Sequence, residues 1–168
     1  MNRAKLLSVL AAATFTVVTV STAALAGDDS KERNVRGIYG GAGVGAAWHE
    51  DGGSPEAAWR FMAWVRPIKY LSIEMGYFDL GNNDLGQETR GFAFSGVPTY
   101  PIGPFDVYGK VGFAVATIDD NTQLEPTFGA GGAYQWKRLG ARLEYERFQF
   151  DDSANVGWLI LYYQLGDI

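Results

Sequence analysis

The amino-acid sequence predicts an all-β fold, an eight-stranded antiparallel up-and-down transmembrane β-barrel. Apolar residues recur at every second position in eight segments after Gly37, and the connections between those segments are alternately short and long. The opposite parity holds Gly, Ala and a few charges. A soluble sandwich or barrel needs a polar outer parity, which Gly and Ala cannot supply, whereas they can line a narrow lumen whose outer wall is coated by lipid. Composition agrees: 168 residues suit one domain, and 22 Gly beside 10 Phe, 9 Tyr and 5 Trp, with only six Pro, suit short strands joined by turns. The absence of Cys removes disulfide scaffolds, thiolate metal sites and cysteine nucleophiles. A 20% share of charged residues argues against a bundle of spanning helices, and 47% hydrophobic residues exclude a disordered chain.

Residues 1–26 read as a cleaved signal peptide outside the fold. Arg3 and Lys5 precede an acid-free run from Leu6 to Val20, and Ala24-Leu25-Ala26 places small residues where a signal peptidase reads them. The run, about 15 residues, is short for a spanning helix of roughly 20. Cleavage before Gly27 removes Arg3 and Lys5, the leader's two charges, and so takes the formal charge from −5 to −7. An exported acidic chain is a poor nucleic-acid binder, and no such partner is expected. Residues 27–35 then form a short periplasmic segment and 36–168 the barrel.

Each strand is justified by its own alternation. Strand one, 36–48, sets Ile38, Ala42, Val44, Ala46 and Trp48 against Tyr39, Gly41, Gly43, Gly45 and Ala47. Strand two, 57–66, sets Trp59, Phe61, Ala63 and Val65 against Arg60, Met62, Trp64 and Arg66. In strand three, 69–79, Leu71, Ile73, Met75 and Tyr77 oppose Ser72, Glu74 and Gly76, and in strand four, 88–100, Phe92 and Phe94 oppose Ala93, Ser95 and Val97. Strand five places Val107, Val111, Phe113 and Val115 opposite Tyr108, Lys110, Gly112 and Ala114. Strand six places Phe128, Ala130, Tyr134 and Trp136 opposite Thr127, Gly129, Gly131 and Gln135. Strand seven, 139–150, sets Leu139, Ala141, Leu143 and Tyr145 against Arg142, Glu144 and Glu146, and strand eight sets Leu159, Leu161, Tyr163 and Leu165 against Trp158, Ile160, Tyr162 and Gln164.

Short connections fall at Pro67-Ile68, at Pro101-Ile102-Gly103-Pro104 and at Lys137-Arg138; longer polar ones fall near 49–56, 80–88, 119–126 and 151–155. Strict alternation of the two kinds is the asymmetry of outer-membrane barrels, which have short periplasmic turns and long extracellular loops. Every proline lies in or beside a connection, as hydrogen-bonded ladders require. Trp48, Trp59, Tyr70, Tyr100, Phe105, Trp136 and Phe148 lie near strand ends and are expected in the two interfacial aromatic girdles.

Several segments add a family resemblance. They are Tyr39-Gly40-Gly41-Ala42-Gly43, Ile73-Glu74-Met75-Gly76-Tyr77 followed by Leu80-Gly81, Tyr100-Pro101-Ile102, Val107-Tyr108-Gly109-Lys110-Val111-Gly112 and Arg142-Leu143-Glu144-Tyr145. In this order they resemble the transmembrane domain of outer-membrane protein A and its small eight-stranded relatives, over essentially the whole mature chain. The resemblance implies the outer membrane of a Gram-negative bacterium, interior carboxylates at Glu74 and Glu144, and an interior cation at Lys110. The family's fourth-strand lysine falls near Val97, so its gating ion-pair switch does not carry over. Its peptidoglycan-binding domain is not expected, because the chain stops about three residues after strand eight. The resemblance also implies an assembly signal in the last strand, read by the barrel-assembly machinery, at Leu161, Tyr163 and Leu165, with Gly166-Asp167-Ile168 as a tail.

The inward parity collects Arg60, Arg66, Glu74, Lys110, Arg142, Glu144 and Glu146. In a lumen of eight strands these charges are expected to neutralise one another as a plug, with an ion path as the alternative. Catalysis by Glu74 and Glu144 is not expected, since carboxylates amid arginines stay ionised and have no cleft. The single histidine, His49, sits beside Glu50 and Asp51, and neither Ser54 nor Ser153 lies in a nucleophile motif, so a lipid A-modifying activity is the weakest class. No cofactor or metal site is expected. Asp119-Asp120-Asn121 lacks EF-hand spacing, and the acidic loops are expected to meet divalent cations only at the lipopolysaccharide surface. The expected partners are outer-membrane lipid, lipopolysaccharide and an extracellular ligand held by the loops. The leading role is structural or surface-interacting, in envelope integrity or adhesion.

Overall fold

The computed structural model describes residues 35–49, 54–82, 88–118, 121–149 and 153–168. The expected leader 1–26 and residues 27–34 lie outside the described residues. So do the loop acids Glu50, Asp51, Asp84, Asp119, Asp120, Asp151 and Asp152. Eight strands follow one another: β1 (Gly37–His49), β2 (Glu56–Ile68), β3 (Leu71–Asn82), β4 (Glu88–Ile102), β5 (Phe105–Ile118), β6 (Asn121–Trp136), β7 (Leu139–Phe148) and β8 (Ala154–Asp167). Each pairs antiparallel with its sequence neighbour, and β1 also pairs with β8, which closes the barrel. Closure satisfies every strand edge, the condition a sheet must meet in lipid.

The register sets the barrel's dimensions. A path of paired residues from Tyr39 through Trp64, Glu74, Ser95, Gly112, Thr127, Phe148 and Ala154 returns to β1 at His49, a stagger of ten residues. With about 3.3 Å per residue and roughly 4.8 Å between strands, that stagger over eight strands implies a tilt of about 40°. The corresponding radius is about 8 Å, enough for side chains alone to fill the interior.

The alternation holds on all eight strands. Phe61, Leu143 and Leu161 are 60%, 64% and 62% exposed on the outer wall, while Phe78 and Trp158 on the inner parity are 1% and 2% exposed. Glycines make room for the inner aromatics. A Cβ at Gly140 would collide with the Tyr162 ring, and one at Gly131 with Tyr108.

Several boundaries differ from those expected. β2 runs through Pro67 and Ile68, so the turn is Lys69-Tyr70, and Pro67 falls where the β2–β3 register shifts between Val65 and Ile68, a break that its missing N–H does not worsen. β4 likewise continues to Ile102, leaving Gly103-Pro104 as the turn. The expected loop 119–126 is mostly strand: Ile118 pairs with Asn121, and the alternation of Thr122 and Leu124 outward with Gln123 and Glu125 inward carries β6 to its start. Pro126 is tolerated there because its carbonyl side looks past the last β6–β7 pair, Thr127 with Phe148, to accept the Gln149 N–H at 3.2 Å. β8 extends to Asp167, so two of the three expected tail residues belong to the strand. Phe148 is not a girdle residue. It shares the even parity of Glu144 and Glu146 and lies wholly inside the barrel, 4.8 Å from the Phe78 ring. Trp48, Trp59, Tyr70, Tyr100, Phe105 and Trp136 do stand on the outer surface.

The three short turns close alike. The second turn residue in each accepts an N–H from the strand beyond: Tyr70 O from Thr99, Pro104 O from Gln135 and Arg138 O from Gln164, at 2.9, 3.0 and 2.7 Å. Val35 is buried at this end, its carbonyl accepting the Tyr39 hydroxyl at 2.7 Å.

Tyr163 is half-exposed on the lipid side of β8. Tyr163→Asp, which sets a charge on that wall, is expected to abolish the folded, faster-migrating form of the unboiled protein on gels and to cut outer-membrane yield, while Tyr163→Phe leaves both intact. Equal yields for the two variants would remove the lipid-facing assignment.

Candidate functional site: the charged lumen

The period-two pattern aims alternate residues of β2, β3, β5 and β7 into the lumen, and the charges among them meet at mid-height. Glu144 is the hub. Its Oε1 accepts from Arg60 Nη1 at 2.9 Å and Lys110 Nζ at 3.0 Å, and its Oε2 from Arg142 Nη2 at 2.8 Å and the Tyr108 hydroxyl at 3.0 Å. Four donors fill the acceptor sites of one carboxylate. Arg60 also donates to Glu146 Oε2 at 2.8 Å, and Lys110 Nζ lies 2.9 Å from Glu146 Oε1. Arg142 donates to Glu74 Oε1 at 2.6 Å and through Nε to the Tyr108 oxygen at 3.0 Å. Three bases thus balance three acids, all buried. Aromatic faces cover the guanidinium groups: Arg60 lies 5.0 Å from the Trp158 ring, and Arg142 lies 5.0 Å from Trp64 and 4.4 Å from Tyr108.

The six residues expected in the interior network, Arg60, Glu74, Lys110, Arg142, Glu144 and Glu146, are therefore brought together. Arg66 is not among them. It lies nearer the short turns, paired with Asp106 at 3.0 Å and donating to the Lys69 carbonyl. The sequence reading missed Asp106, although it has the same inward parity as Tyr108 and Lys110. Tyr108 was placed inside but not recognised as a donor to Glu144.

Above and below, the lumen is closed by different means. Toward the long loops, Phe78, Leu80, Phe148, Val156, Ala116 and Ala154 form an apolar layer with next to no exposure. Toward the short turns, Tyr39 stacks on Trp64 at 5.1 Å, and Tyr162 meets both edge-on at 6.0 and 5.2 Å. A cavity of about 30 Å³ lies beside these rings, bounded by Arg66, Ser72, Val97, Thr99, Asp106 and Gln135 among others. It holds roughly one or two waters. Val97, in place of the lysine that the resemblance would put there, brings no cation to this wall.

His49 ends β1, paired with Ala154; Ser54 is exposed and Ser153 partly so. Among the described residues no three His, Asp or Glu side chains gather as a metal site. Leu161, Tyr163 and Leu165 all point outward from β8.

The model of the OmpA-like transmembrane domain matches residues 33–148. The chain belongs to that family. It is an outer-membrane β-barrel protein, with the long loops at the extracellular end and the short turns at the periplasmic end. No curated protein sequence matches it. Among solved structures, a de novo designed transmembrane β-barrel aligns at TM-score 0.57 and 21% identity, over 77% of this chain and 97% of its own. Neisserial surface protein A (NspA) aligns at 0.54 and 13%, over 76% and 96%. The N-terminal β-barrel domain of Pseudomonas aeruginosa OprF aligns at 0.58 and 8%, over 76% and 97%. At such identities the shared property is the fold.

Removing one member of a buried ion network leaves its partners uncompensated, at roughly 3–5 kcal/mol, whereas an exposed pair contributes about 1 kcal/mol or less. Glu144→Gln is therefore expected to lower the urea unfolding midpoint far more than Glu88→Gln, whose partner Arg90 lies 3.5 Å away on the surface. In the second cluster Asp106→Asn alone is expected to destabilise more than the double change Arg66→Met with Asp106→Leu, which removes both charges. Unfolding of the refolded barrel in detergent checks both comparisons.

Proposed function

We propose that this outer-membrane protein is a closed, non-conducting barrel, exported with its residues 1–26 as a signal peptide, that holds its extracellular loops on a rigid wall for envelope integrity or adhesion. The observation that carries this reading is the lumen: a neutral six-residue ion network capped by the apolar layer around Phe78 and Phe148. An ion crossing it would break charge-assisted bonds and then shed its water against hydrocarbon. No role in catalysis is assigned to the lumen, because each interior carboxylate is engaged by cations and only a water-sized space adjoins them. The proposed partners are lipopolysaccharide and membrane lipid along the wall, the barrel-assembly machinery during insertion, and an extracellular ligand at the loops.

Purified protein in planar bilayers is expected to give no stepwise conductance. Regular unitary steps that vanish in Lys110→Met would establish the channel reading instead. Unchanged lipid A masses in cells with and without the protein are expected in the same study, and a mass shift would establish an enzyme.

A further inference from the structure

The periplasmic rim carries a charge pattern that the plug and the loops do not use. Outside the lumen, Arg36, Lys69, Lys137 and Arg138 gather there, with Asp167 the one carboxylate among the described residues of that rim. Glu56, Asp79, Glu88 and Glu125 lie at the opposite end. Two of the rim cations are held sideways against girdle aromatics. Lys69 Nζ lies 5.8 Å from the centre of the Tyr70 ring, and Lys137 Nζ lies 5.2 Å from that of Trp136. Both rings are more than half exposed on the lipid-facing wall. The ammonium groups therefore sit at headgroup depth, beside the belt.

The backbone at Lys137 strengthens the point. The turns Gly103-Pro104 and Lys137-Arg138 both have two residues, and the first residue of each takes a left-handed φ, 59° and 58°. Glycine occupies that position in one turn, as the conformation favours, and lysine occupies it in the other. A strained backbone position that retains a long cationic side chain points to a use for the side chain.

We propose that this rim binds the phosphate headgroups of anionic phospholipid in the periplasmic leaflet, with Lys137 and Arg138 beside Trp136 as one seat and Lys69 beside Tyr70 as the other. The rings pack against the acyl and glycerol region, and the cations meet the phosphate. The proposal holds whether or not the lumen conducts.

The test uses the full protein refolded in dodecylmaltoside, with native mass spectrometry of retained phosphatidylglycerol against phosphatidylcholine of the same chains. Preferential retention of phosphatidylglycerol is expected, falling about five-fold for each charge removed in Lys137→Asn, Arg138→Gln and Lys69→Gln. Lys137→Arg is expected to keep the preference, as is Arg90→Gln at the other end. Asparagine tolerates a left-handed φ, so Lys137→Asn is expected to unfold in urea at or above the parent midpoint, which separates loss of binding from loss of fold. Equal retention of the two lipids, an unchanged preference in the Lys137→Asn/Arg138→Gln protein, or displacement by free inorganic phosphate would overturn the proposal. So would sedimentation with peptidoglycan sacculi without any lipid preference.

Discussion

The carboxylate of Glu144 is the constraint around which the barrel interior is organised. An ionised carboxylate in a dry lumen is tolerable only when its acceptor sites are filled and its charge is matched. Arg60, Lys110, Arg142 and Tyr108 meet that demand from β2, β5 and β7. Each cation then needs further acceptors, which Glu74 and Glu146 supply, so one buried acid recruits the whole mid-section. The network ties together strands that are not neighbours in the sheet, which the backbone ladder cannot do.

The stagger of ten residues governs what fits around that hub. A radius of about 8 Å admits guanidinium and indole groups only if the facing wall is bare. Gly131 under Tyr108 and Gly140 under Tyr162 are such bare patches. The richness in both glycine and aromatics that marks the composition is thus one requirement seen from two sides, since each inward ring needs a place without a Cβ.

Most of the fold was legible because period-two alternation has a single physical cause, lipid on one side of the wall and a packed lumen on the other. Inside and outside were readable even where strand ends were not. The errors arose where a residue was judged by its type rather than its parity. Phe148 looked like a girdle aromatic from its place at a strand end, yet its parity puts it inside. Asp106 looked like a turn residue beside Pro104, yet it shares the inward side with Lys110. Which charges touch was not legible, because partners such as Arg142 and Glu74 stand 68 residues apart and meet only through closure and tilt. The same limit applied to Arg66, which parity placed inside but whose height along the axis joins it to Asp106.

The three turn carbonyls that accept amides from the next strand have a mechanical consequence. At the periplasmic end each hairpin is tied to the strand beyond it, so Tyr70, Pro104 and Arg138 act as stitches between successive hairpins. Around the extracellular end the hairpins meet chiefly through packed side chains, with Phe78 against Phe148 the largest contact. A pulling force applied through the loops would therefore peel strands from the outside inward, one rung at a time, and meet its stiffest resistance last.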